Sequence, residues 1–156
     1  MTDVSHDRNA AAPLAMTIFR SLTGVIVGLI VAVGSAYLFY RIAFAILLQM
    51  NDQIFVDFPT GFYVATLGYD LVAGLLGGFA AAWIAGRRPA LHGALVGIAL
   101  VGLTYWTSRA ATGEEPKWFY PGAMIVALVG AAAGGALRAA LARRSPAAPD
   151  PAASAH

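Results

Sequence analysis

The sequence predicts an all-α polytopic membrane protein of four transmembrane helices. They are expected to form a tandem repeat of two helical hairpins, with both termini in the cytoplasm. Three observations carry that expectation. First, the chain is 59% apolar and 12% charged, so its 10 Lys and Arg and 8 Asp and Glu cannot clothe a soluble domain of 156 residues. Second, four apolar stretches are long enough to cross a hydrocarbon core of ~30 Å at about 1.5 Å per residue. Third, one stretch recurs. Residues 59–90, PTGFYVATLGYDLVAGLLGGFAAAWIAGRRPA, lie over residues 116–147, PKWFYPGAMIVALVGAAAGGALRAALARRSPA, with 12 of 32 positions identical. The shared pairs include Pro59/Pro116, Phe62/Phe119, Tyr63/Tyr120, Gly77/Gly134, Gly78/Gly135 and Arg87/Arg144.

Composition also narrows function. A net charge of +2 is too small for a nucleic-acid surface. The absence of cysteine excludes disulfides, thiol catalysis and thiolate metal sites. The expected partner is the lipid bilayer, with a second copy or another membrane protein as the possible protein partner, and no cofactor is implied.

Taken in order, residues 1–16 are polar and Ala-rich and read as a disordered tail. Residues 21–40 carry no charge and form the first span. Residues 42–56 are ambiguous: they either extend the first helix or lie at the interface. Residues 62–85 form the second span, closed by Arg87, Arg88 and Pro89, because proline removes a backbone donor. The third span, 90–107, ends at the charged turn RAATGEEPK. The fourth, 121–142, starts at a proline suited to a first helical turn. Residues 17–144 thus make the membrane domain, and the Pro/Ala-rich 145–156 form a second disordered tail.

Basic residues set the orientation. Arg8, Arg20, Arg87, Arg88, Arg138, Arg143 and Arg144 fall on one side, against Arg41, Arg109 and Lys117 on the other. Both termini are therefore expected inside. Most belt aromatics, among them Tyr37, Tyr40, Tyr63, Trp106 and Trp118, gather on the opposite side with Asp52, Asp57, Glu114 and Glu115.

Each span carries two glycines one helical turn apart: Gly24/Gly28, Gly74/Gly78, Gly93/Gly97 and Gly130/Gly134. Lipid offers little hydrophobic drive between helices, so flat glycine stripes that let backbones approach are the expected packing device. Asp70 is the only carboxylate within a span, eight residues past Phe62 and so on the order of 10–12 Å along the helix. An uncompensated Asp near a helix centre costs about 2.5–3.5 kcal/mol on insertion scales, so a partner is expected, and Arg41 is the candidate. The paired reading is structural; the unpaired one is proton or ion handling. His92 is a lone imidazole beside the Arg87 turn and reads as interfacial. No Ser/His/Asp constellation, phosphate loop or metal-ligand spacing is present, so an enzyme is not expected.

Four spans, the PxxFY-type starts at Pro59 and Pro116 and a Gly-Gly run ending in basic residues resemble small bacterial four-helix inner-membrane proteins without assigned function. That resemblance implies the bacterial plasma membrane and brings no activity with it. Gly134 to Leu141, GGALRAAL, looks like the glycine/arginine element of small four-helix fluoride channels, but theirs lies in the first helix and this one in the last. Small multidrug exporters place a glutamate in the first helix, whereas residues 21–40 hold no acid. Two functional expectations follow. The first is a structural or accessory membrane subunit packed through its glycine stripes. The alternative is a small oligomeric transporter or channel that uses Asp70.

Overall fold

The computed structural model describes residues 5–50, 60–111 and 115–144, with side-chain surroundings from residue 16 onward. The fold is all-helical: α1 is Ser5–Met50, α2 Thr60–Ala85, α3 Pro89–Ser108 and α4 Phe119–Arg144. Each contains a stretch long and apolar enough to cross a membrane: Met16–Ile46, then the whole of α2, α3 and α4.

At its start α1 departs from the expected boundary, and at its end it takes one of the two alternatives left open. Residues 5–15 belong to α1 and not to a disordered tail. Ala10, Ala11, Ala12 and Ala15 are strong helix formers, while Pro13 among them lacks an N–H and leaves the residue 9 carbonyl without its intrahelical donor. At the other end, α1 runs on to Met50. The segment IAFAILLQM has no glycine or proline to stop it. Of the ambiguous 42–56 stretch, 42–50 is therefore helix, and 51–56 lies outside the described residues, as do Asp52, Asp57, Glu114 and both the 1–4 and 145–156 termini. α4 starts two residues before the expected position, with Pro121 inside its first turn, where backbone donors have no intrahelical partner.

The link between α2 and α3 is very short. Gly86 (φ 68°) and Arg88 (φ 46°) take left-handed conformations, and Pro89 opens α3 with its φ already suited to a helix. Close contacts at glycines across the helices position everything else. On α1 and α2, which run antiparallel, a Cβ on Gly28 would sit 2.6 Å from the Gly77 carbonyl oxygen and 2.7 Å from Ala81 Cβ. On the same seam, Gly24 faces the Ala81 carbonyl at 2.9 Å. α2 and α4 run parallel: Gly74 faces Ala127 and Ala131, Gly78 faces Ala131, and Gly134 faces Leu75 and Phe79. α3 and α4 are antiparallel, with Gly93 against Ala131 and Gly135 and Gly97 against Leu128.

Adjacent residues on a helix point about 100° apart, so a Gly-Gly pair opens two faces at one level. Gly77 serves α1 while Gly78 serves α4; likewise Gly134 serves α2 while Gly135 serves α3. The bundle is thus stitched in the order α1–α2–α4–α3, and the α1–α3 edge that would close the ring has the lightest contact.

The interior is correspondingly small in its side chains. Ala32, Ala73, Ala81, Ala82, Ala127 and Ala131 are buried, with Val96 and Leu100 the larger members of the core. Bulky residues such as Trp83, Ile98 and Ile125 face outward, the inverse of a soluble core and the arrangement that suits lipid.

Because a methyl group on Gly78 would collide with the Ala131 backbone, Gly78→Ala is expected to destabilise the protein by about 1–3 kcal/mol, the usual range for overpacking. Gly102→Ala, where nothing lies within 4 Å, is expected to be neutral or slightly stabilising. Thermal unfolding of both variants in mild detergent checks the contrast.

Candidate functional site

The lightly joined α1–α3 edge opens into a cavity of about 620 Å³. Its place follows from the glycine seam. At the level of Gly28, a Cβ would meet Gly77 on α2 and Val96 on α3, so three helices converge there. Beyond that level, away from the Gly86–Arg88 turn, larger residues take over and the helices part.

Three helical stripes line the space. On α2 they are Thr66, Asp70, Ala73 and Gly74, at the spacing that places residues on one face. α1 contributes Ala32, Ala36, Tyr37 and Tyr40, and α3 contributes Leu100, Thr104 and Thr107. Ala127 of α4 and Ala73 form part of an apolar base, and Tyr69 adds a third tyrosine to the wall. Ring contacts hold two of the tyrosines in place: Tyr69 stacks on Phe39 at 5.6 Å, and Tyr40 meets Phe62 edge-on at 6.1 Å.

Asp70 is half-buried and, among the described residues, is the only formally charged one lining the cavity. The expected pair with Arg41 is not formed. Arg41 is exposed and is absent from the lining. The reason is register: the Gly24–Ala81 and Gly28–Gly77 contacts set Asp70 opposite about residue 35 of α1, so Arg41 lies about 9 Å further along that helix. Among the described residues, Asp70 takes part in no ion pair.

The hydroxyls near the carboxylate have a definite polarity. Thr66 Oγ1 donates to the Phe62 carbonyl at 2.9 Å, and Thr107 Oγ1 donates to the Thr104 carbonyl at 2.9 Å. With its hydrogen used on the backbone, each hydroxyl has lone pairs left to accept. Thr104 and the three tyrosines add hydroxyls that can donate or accept, and no cationic side chain lines the cavity among the described residues.

The remaining candidate residues lie elsewhere. Gly24, Gly28, Gly74, Gly78, Gly93, Gly97, Gly130 and Gly134 all sit at contacts between helices of the same chain. Arg109 is exposed, donates to the Tyr105 hydroxyl at 3.2 Å and lies over that ring at 5.7 Å. Tyr63 is buried against Trp118 and Phe119, which ties the starts of α2 and α4 together. His92, in the first turn of α3 beside Arg88, is packed within the bundle: it is 5% exposed, and its Nδ1 lies 3.2 Å from the Arg88 carbonyl oxygen. Among the described residues, no group of three or more His, Cys, Asp or Glu is placed to hold a metal ion.

Sequence reasoning found Asp70 but missed its surroundings. Tyr37 and Tyr40 read as belt aromatics, and Thr66, Tyr69, Thr104 and Thr107 drew no notice. The Thr66–Asp70 spacing of four and the Thr104–Thr107 spacing of three were the available signals, since each marks one helix face.

Fold and site together define an all-helical chain with four helices fit to cross a membrane and a carboxylate-bearing cavity between three of them. No family model matches this chain, and no curated protein or solved structure matches it either.

With Asp70 and Arg41 apart, Asp70→Ala and Arg41→Ala are expected to change stability additively, with a coupling below about 0.5 kcal/mol. Thermal unfolding of the two single variants and the double variant in detergent checks this. A coupling of several kcal/mol would signal a buried pair.

Proposed function

We propose that this chain is a small transporter or channel of a bacterial plasma membrane and handles its cargo at Asp70. The single observation that carries the reading is the cavity around that carboxylate, which has no cationic side chain in its lining. A purely structural or accessory subunit would gain nothing from an uncompensated acid in a span, which insertion scales penalise by about 2.5–3.5 kcal/mol at mid-helix. Intramembrane ionisable residues that face a cavity commonly mark substrate or ion pathways.

The orientation proposed is that of the basic residues, with both termini and the Arg87–Arg88 turn in the cytoplasm. The cavity then faces the outer half of the bilayer. The two hairpins are proposed as copies of one unit related by an axis along the membrane normal. Supporting this, α2 and α4 run parallel and in step, with Gly134 opposite the Leu75–Phe79 stretch that flanks Gly77.

Because the chain has no cysteine, single cysteines report accessibility cleanly. Asp70→Cys and Thr60→Cys are expected to react with a membrane-impermeant thiol reagent on intact cells, and Ser5→Cys only after permeabilisation. Failure of Asp70→Cys to react from either side would contradict a water-filled cavity, and labelling of Ser5→Cys from outside would reverse the orientation.

A further inference from the structure

We propose that the Asp70 cavity binds a monovalent organic cation with an apolar, ring-bearing body. The inference rests on the reading of the cavity as a working site and extends it by assigning the occupant's charge and shape.

The sign of the charge follows from the lining. Asp70 is its only formal charge, and neither Lys nor Arg contributes. Thr66 and Thr107 have donated their hydrogens to backbone carbonyls and present lone pairs. An anionic ligand would find no charged donor here and would face an uncompensated carboxylate. A single carboxylate balances a single positive charge.

An organic cation fits better than a metal ion. Hard cations take about six to eight oxygens at short range, or keep their water. Here the acceptors lie on separate helices around about 620 Å³, and no cluster of metal-ligating side chains exists among the described residues. That volume falls within the range of about 300–1,000 Å³ typical of small-molecule sites. Tyr37, Tyr40 and Tyr69 supply aromatic faces, which attract cations through the ring quadrupole. Tyr40 and Tyr69 are further held by the Phe62 and Phe39 rings, so they are ordered before a ligand arrives. The apolar base around Leu100 and Ala127 suits hydrocarbon.

Tetraphenylphosphonium and tetraphenylborate have the same shape and opposite charge, and so separate charge recognition from greasy partitioning. Equilibrium dialysis of the full chain in uncharged maltoside micelles, corrected with protein-free micelles, is expected to show saturable binding of the phosphonium and none of the borate. Asp70→Asn is expected to weaken phosphonium binding by at least about tenfold, equivalent to 1.4 kcal/mol. Tyr37→Leu, at an exposed ring whose loss does not threaten the fold, is expected to weaken it several-fold. Equal binding of both ions, or undiminished binding in both variants, would overturn the proposal.

If Asp70→Cys is labelled but the phosphonium does not bind, the cation class is wrong and the open cavity stands. If it is neither labelled nor the phosphonium bound, the reading of the cavity itself fails.

Discussion

The structure depends on close backbone approach at glycine. Between apolar helices in lipid, burial from water contributes little, and association falls to dispersion, which needs contact over many atoms. Here four helices meet through carbonyls facing glycine Cα atoms, at Gly28–Gly77, Gly78–Ala131 and Gly93–Ala131. The Gly-Gly pairs at 77–78 and 134–135 let α2 and α4 each hold two neighbours at one level. A bundle built this way is tight where the glycines are and loose where they stop. Gly34, Gly61, Gly68 and Gly102 have nothing within 4 Å of an added Cβ, and none of them joins helices.

The cavity is the other half of the same arrangement. α1 touches α3 at Gly28–Val96 and then parts from it, because Tyr37 and Tyr40 on α1 and Leu103 and Thr104 on α3 are too large for glycine-like approach. Asp70 lies in the resulting space. A carboxylate in a dry low-dielectric interior with no partner is strongly disfavoured. It is tolerable here because the space beside it is large enough for water or a ligand. Tight glycine contacts thus create both the bundle's stability and the opening that makes an unpaired acid admissible.

Much of this was legible in the sequence, and what was not has a physical reason. Span number follows from length and hydropathy, which are local properties, so all four helices were visible. The glycine spacings were equally visible, but the roles of Gly77 and Gly135 were not, since they depend on which neighbour each face meets. The start of α1 was misjudged because polarity near residue 15 read as a tail, and its end was left open because Arg41 interrupts the apolar run. The Asp70–Arg41 pair failed for a related reason. Relative depth depends on the register of two helices, and the Gly28–Gly77 contact sets Asp70 about six residues of α1 away from Arg41. Convergence of Thr66, Tyr37 and Thr107 on one space is a tertiary fact with no local signature.

The account's central claim is that Asp70 lies in an open, hydrated space and not in a sealed ion pair. A crystal structure grown from a lipidic mesophase tests it most directly. The expected result is water or ligand density against the Asp70 carboxylate, α1 and α3 apart at Ala36 and Thr104, and Arg41 turned outward. The Arg41 guanidinium on the Asp70 carboxylate, or α1 and α3 closed over it with no density between them, would contradict the account.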